Sequence, residues 1–107
     1  MILKHSCKKI PVHFVSDQEI SASTGRVLEQ GEYLYGLYSG KRGAILINKE
    51  TPNNFSTLVH EIMEYIKNDY GLDGFQHEHL STISEVLAQI LEENWKQISR
   101  RFSLRTS

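Results

Sequence analysis

Residues 53 to 71, "NNFSTLVHEIMEYIKNDYG", constrain the fold more than any other stretch of the chain. Phe55, Leu58, Val59, Ile62, Met63, Ile66 and Tyr70 recur at spacings of three and four, which places them on one broad face of a helix. Asn53 or Asn54 can cap its first turn, and Gly71 can close its last. A helix with one apolar face needs a second layer to cover it.

The flanking segments say what that layer is. Before the helix, "IPVHFV" (10–15) and "GEYLYGLYSG" (31–40) are rich in β-branched and aromatic residues, and "GAILINKE" (43–50) is a compact apolar strand. Pro11 predicts an edge strand or the first residues of one. The glycine-containing turn "SGKRG" joins the last two strands as a hairpin. "DQEISASTG" (17–25) fits either a short helical turn or a loop. After the helix, "GLDGFQ" reads as a loop. A second helix then runs from about His77 to at least Asn94, with Leu80, Ile83, Leu87, Ile90, Leu91 and Ile98 as its stripe. Continued to Phe102, it would be roughly 39 Å long at 1.5 Å per residue, against a diameter of roughly 26 Å for a domain of this size. Either the helix breaks near Asn94, or its end projects and offers Trp95, Ile98 and Phe102 to a partner. Strands followed by helices predict an α+β domain spanning residues 1–107, mainly strands over 1–50 and mainly helices over 51–107.

A chain of 107 residues supports one core, so any active site must be an open groove rather than an interdomain cleft. Twelve basic residues against thirteen acidic ones give no global electrostatic reason to bind nucleic acid or an anionic membrane. Lys4, Lys8 and Lys9 near the start and Arg100, Arg101 and Arg105 near the finish read as solvated ends. The single cysteine, Cys7, makes neither an intramolecular disulfide nor a cysteine-rich zinc module, which suits a reducing cytoplasm. The opening residues lack the apolar core of a signal peptide, and no apolar run is long enough to span a bilayer. The expected location is therefore cytoplasmic.

The helix at 53–71 also carries chemistry. His60 and Glu64 are four residues apart and share one face, the spacing by which a single helix gives two ligands to one ion. Zinc accepts imidazole nitrogen and carboxylate oxygen at similar distances, about 2.0–2.2 Å. Glu61 follows His60 directly, about 100° round the helix, where a carboxylate can serve as a general base toward the ion's open position. A third ligand has to arrive from elsewhere. His77 is the first candidate because it shares a row with residues 80, 84, 87 and 91; Glu85 is the second and His79 the third. The bland alternative is a solvated helix face on which Glu61, Glu64 and Lys67 form salt bridges. His5 and His13 read as solvent-facing or strand-edge residues, Tyr33, Tyr35 and Tyr38 as packing, and Tyr65 and Tyr70 as packing before oxyanion donors. Cys7 has no signature of an activated nucleophile.

The stretch "STLVHEIMEYI…GFQHEHLSTISEVLAQILEEN" resembles a group of small zincin-like proteins of phages and prophages. Thr57, Leu58, His60, Glu61, Glu64 and Ile66 match a first block, His77 and Leu80 a second, and Leu87, Gln89 and Leu91 a third; the likeness covers about residues 43 to 94. It implies a small antiparallel sheet of about three strands beside an active-site helix and a long C-terminal helix. It implies zinc held by His60, Glu64 and His77, with Glu61 activating a metal-bound water for peptide hydrolysis. It also implies a peptide or protein partner laid along an edge strand, for which "AILIN" is the candidate. A more distant likeness to ImmA/IrrE-type peptidases implies Glu85 as the third ligand. The same scaffold without catalysis would be a protein-binding or regulatory module. The segment "EYIKND" departs from the small residue and asparagine that often follow the motif in that group.

Overall fold

The computed structural model describes residues 1–24, 34–72 and 77–104, with the side chains of Thr24, His77 and Glu78 outside the described part. Within them the chain forms β1 (Ile2–His5), β2 (Lys8–Val15), α1 (Asp17–Thr24), β3 (Gly36–Ser39), β4 (Ala44–Asn48), α2 (Asn54–Asp69), α3 (His77–Glu93) and α4 (Trp95–Arg101). The strands make one mixed sheet in the order β1-β2-β4-β3. Strands β1 and β3 run antiparallel to their neighbours, and β2 and β4 run parallel.

The α+β class is as expected, but the sheet has four strands and is not wholly antiparallel. The extra strand is β1, short and carrying Lys4 and His5, so no alternating apolar run announces it. It reverses into β2 at Ser6 and Cys7, where Ser6 takes a φ of 56°. The parallel pair needs a crossover, and α1 lies within it. Of the two conformations that suit the stretch at 17–25, Asp17–Thr24 adopts the helical one.

Pro11 is not on an edge, because β2 lies between β1 and β4. The Val12 N–H bonds to the Met1 carbonyl on the β1 side. One residue earlier, the missing N–H of Pro11 faces the β4 side, below Val12, the first residue paired there. The proline therefore removes no ladder bond.

The core lies on one face of the sheet. Ile10 and Val12 of β2 and Ile45 and Ile47 of β4 pack with Leu58, Ile62 and Ile66 of α2, Ile83, Val86 and Ile90 of α3, and Ile98 of α4. Each fully buried aliphatic chain contributes about 1.5–3 kcal/mol. On the other face Ile20 of α1 is fully buried, and Asn48 of β4 donates from Nδ2 to Asp17 Oδ1 at 2.9 Å and to the Leu34 carbonyl at 3.0 Å.

The helix ends at Gly71 and Asn94 redirect the chain. Gly71 has φ +65°, its N–H bonds to Asn68 O, and the Leu72 N–H bonds to Lys67 O, the paired bonds of a left-handed C-terminal cap. Asn53 occupies the α2 N-cap with φ 60° and makes no side-chain cap bond. The long second helix breaks at Asn94 (φ −113°, ψ 10°), and α4 folds back over the core. Ile98 is fully buried, and Trp95 and Phe102 pack against the core, so this end does not project. No helix among the described residues is long and apolar enough to cross a membrane.

Candidate functional site

The candidate site lies where α2 runs beside the edge strand β3. The two elements approach closely because residue 36 is glycine. A Cβ there would come within 2.6 Å of Thr57 Cγ2, 3.1 Å of Glu61 Cγ and 3.3 Å of the Leu46 carbonyl. Any larger side chain at position 36 forces the helix off the strand. In the sequence the tyrosines of 31–40 draw the eye, and Gly36 between them is easily missed. Its signal is a glycine inside a strand pattern, the usual mark of close backbone approach.

Under this contact lies Glu61. It is 6% exposed, although it belongs to a helix whose neighbouring residues His60 and Glu64 face outward. Burial pushes its carboxyl pKa up, and the negative charge of Glu64 adds to that. His60 and a hydrogen bond from the Tyr38 backbone N–H pull the other way, and the balance is a raised value. A carboxyl moved toward neutral pH is better suited to take and return protons than an ordinary surface glutamate.

His60 and Glu64 share the outer face of α2, with Nε2 and Oε1 4.0 Å apart and side chains 67% and 34% exposed. Two donors about 2.1 Å from one ion lie about 3.4 Å apart at the tetrahedral angle, so a small side-chain rotation would let the pair share a cation. An open groove of about 410 Å³ runs alongside, lined by Leu34, Tyr35, Gly36, Thr57, His60 and Glu61.

The described residues supply two donors and not three: no group of three or more His, Cys, Asp or Glu among them could hold a metal. His77 begins α3, and its side chain lies outside the described part. The buried row of α3 is Ile83, Val86 and Ile90, with half-buried His79 on the same row. Leu80 and Ser84, which share the row of His77, are exposed. Glu85 is exposed on the side of α3 away from Ile83 and Ile90 and is not brought to the His60–Glu64 pair.

Other residues fall differently from their sequence reading. The strand "AILIN" is β4, wholly buried between β2 and β3, so it is not an edge. The edge beside the site is β3. His5 lies on edge strand β1 but is buried, with Nδ1 3.3 Å from the Tyr65 hydroxyl and its ring edge-on to the Tyr65 ring. That contact and an edge-on contact with Tyr38 make Tyr65 a packing residue. His13 is exposed. Tyr33 lies outside the described residues.

Comparison of the chain with protein-family models, with curated proteins and with solved structures finds no match in any of the three. Its function has to be read from its own residues.

Proposed function

We propose that the chain is a zincin-like peptidase, with Glu61 as the general base and His60 and Glu64 as two of the residues that would hold a zinc ion. One observation carries this reading: a buried carboxyl with a raised pKa sits at the base of a groove between a helix and an edge strand, flanked by an outward His–Glu pair on that helix. A merely solvated helix face would leave Glu61 in water. The third ligand in this reading is His77.

A bound zinc would supply Lewis acidity toward a peptide carbonyl and toward water. The chain's own residues would do the rest. The outer backbone groups of β3 would align an extended peptide beside α2. Glu61 would accept a proton from the attacking water and deliver it to the leaving nitrogen. The close fit over Gly36 would keep bulk water from the Glu61 carboxyl.

A second reading is a non-catalytic peptide- or protein-binding module on the same scaffold, which needs the groove beside edge strand β3 and no ion. Elemental analysis of protein reconstituted with zinc separates the two. The peptidase reading expects about one equivalent of zinc, lost in His60→Ala and in His77→Ala. Less than about a tenth of an equivalent in the unmodified protein would rule out catalysis by this route.

A further inference from the structure

Two grooves lie on one face of α2, one on either side of the His60–Glu64 pair. The first is the groove beside β3, which Thr57, His60 and Glu61 line from the helix. The second, of about 370 Å³, begins at Glu64 and continues past Lys67 and Asn68 to Gly71. From Thr57 through His60, Glu64 and Lys67 to Gly71 the spacing is three or four, so both grooves follow a single row of the helix to its cap. Strand β3 runs beside that row in the same direction. Gly36 lies against Thr57 and Glu61, the Tyr38 hydroxyl accepts from Asn68 Nδ2 at 3.4 Å, and a Cβ at Gly40 would stand 3.5 Å from that nitrogen. Thr57 to Asn68 is about 16 Å of helix at about 1.5 Å per residue, the reach of about five residues of extended chain. His60 and Glu64 stand at the middle of that span.

Neither groove is built to hold a chain end. Capture of a terminal carboxylate or amine takes a fixed group of opposite charge or a nest of backbone groups. Beyond His60 the first groove is walled by Leu34, Tyr35, Ser56 and Thr57, none of them charged. In the second, Glu64 and Lys67 carry opposite charges three residues apart, which sum to zero.

We propose that the site takes the interior of an extended polypeptide rather than its ends: about five residues lie along the row, both grooves are filled, and the His60–Glu64 pair stands opposite the middle. The inference rests on the peptidase reading for its chemistry and makes the reaction an endopeptidase cleavage. Water adds across an internal amide. The C–N bond breaks, a C–O bond forms to the water oxygen, and Glu61 carries the water proton to the departing nitrogen. One fragment then leaves along each groove. A substrate that ends at the pair fills one groove only and forgoes the contacts of the other. The substrate class is therefore exposed loops, tails and unfolded segments, where several consecutive residues are free to extend.

A length series of labelled, mixed-sequence peptides, acetylated and amidated at their ends, tests this in two arms. In the first, fluorescence anisotropy in the presence of a chelator reads binding without any contribution from metal. Affinity is expected to rise about tenfold from two residues to about five and to level off beyond. Ser56→Trp narrows the first groove and Asn68→Trp the second, and both positions are exposed, so the fold tolerates them. Each is expected to weaken the five-residue peptide about fivefold or more. Affinity that stops rising at two or three residues, an effect in one variant only, or absence of binding by every peptide would overturn the proposal. In the second arm, mass spectrometry follows the same peptides with zinc-loaded protein. Cuts are expected with about two residues or more on each side, at rates that do not depend on the blocking groups. Stepwise loss of residues from a free end would overturn the proposal and leave the peptidase reading in place. Length-dependent binding without any cleavage would remove the peptidase reading, while the occupancy of both grooves stands.

Discussion

Strand β1 forms one edge of the sheet and β3 the other, and the chain covers the first with carboxamides while it leaves the second beside a groove. At β1 the buried side chain of Asn94 accepts from the Lys4 N–H and donates to the Lys4 carbonyl, both at 2.8 Å. This reproduces the bonds that a neighbouring strand would make. The same Nδ2 donates to the Ile90 carbonyl at 2.7 Å, and Gln97 donates to the Ile2 carbonyl at 2.7 Å. Open strand edges recruit other chains, and a side chain that satisfies the edge prevents this. At β3 the neighbouring side chain is a carboxylate, which can accept from a strand but cannot donate to it. The difference separates structure from function: one edge is covered at Lys4 and Ile2 by carboxamides, and the other lies open beside titratable groups.

Breaking the closed edge should have the largest effect. Asn94→Leu leaves the Lys4 N–H and C=O without their partner in a buried setting, and a loss of about 3 kcal/mol is expected in urea denaturation. The variant should also self-associate in gel filtration as β1 becomes available. If it stays monomeric and as stable as the parent, the edge is closed by something other than Asn94.

Breaking the open edge should cost less, because it strains one contact. Gly36→Ala puts a methyl within 2.6 Å of Thr57 Cγ2, and a loss of about 1–3 kcal/mol is expected as α2 shifts. Peptide binding in the groove should fall with it. The double variant Gly36→Ala/Thr57→Ser removes the clashing methyl and is expected to recover much of the stability. Failure to recover would point to the Leu46 carbonyl, 3.3 Å away, as the obstacle.

Altering Glu61 probes the open edge without moving its backbone, and there stability should rise. Its folded pKa is raised above the ordinary 4.5, so the folded protein holds a proton that the unfolded chain has released. Stability is therefore lost as pH rises from about 4.5 through the raised value, and the penalty is complete above it. Glu61→Gln is neutral throughout and should be more stable than the parent by about 1 kcal/mol at neutral pH and metal-free, with no advantage below the carboxylate range. Any peptidase activity should fall by about 10²- to 10⁴-fold in the same variant. A Gln variant less stable at neutral pH would mean that the carboxylate is held by partners stronger than the Tyr38 N–H.

The smallest effect is expected at Lys8, whose Nζ lies 2.6 Å from Asp69 Oδ1 across exposed surface. The aspartate raises the lysine pKa, so the pair favours the charged form, but solvent screens it. Lys8→Ala should leave the thermal midpoint nearly unchanged, and the remaining difference should disappear in high salt.

Much of this arrangement is legible along the chain. The period of apolar residues sets α2 and the second helix, the glycine-bounded apolar runs set the β3–β4 hairpin, and the length mismatch leaves either a break near Asn94 or a projecting end, of which the structure takes the break. His60, Glu61 and Glu64 are visible because ligand spacing on a helix is a local property. Local patterns do not carry sheet order, however. Each strand's period is blind to which neighbour it pairs with, so β4 passes for an edge although it lies inside, and Pro11 passes for an edge proline. The row of α3 that faces the core is equally hidden, since Leu80 looks as apolar as Ile83 until the sheet chooses a side. Local sequence thus determines α2, the second helix, the β3–β4 hairpin and the helical His-Glu-x-x-Glu face, but not β1 or the choice of helix over loop at Asp17–Thr24. That Glu61 is buried and Glu64 is not was decided in three dimensions, because it depends on Gly36, twenty-five positions earlier, letting β3 lie against the helix. Long-range pairing puts one edge under Asn94 and the other beside Glu61, and no local propensity distinguishes the two.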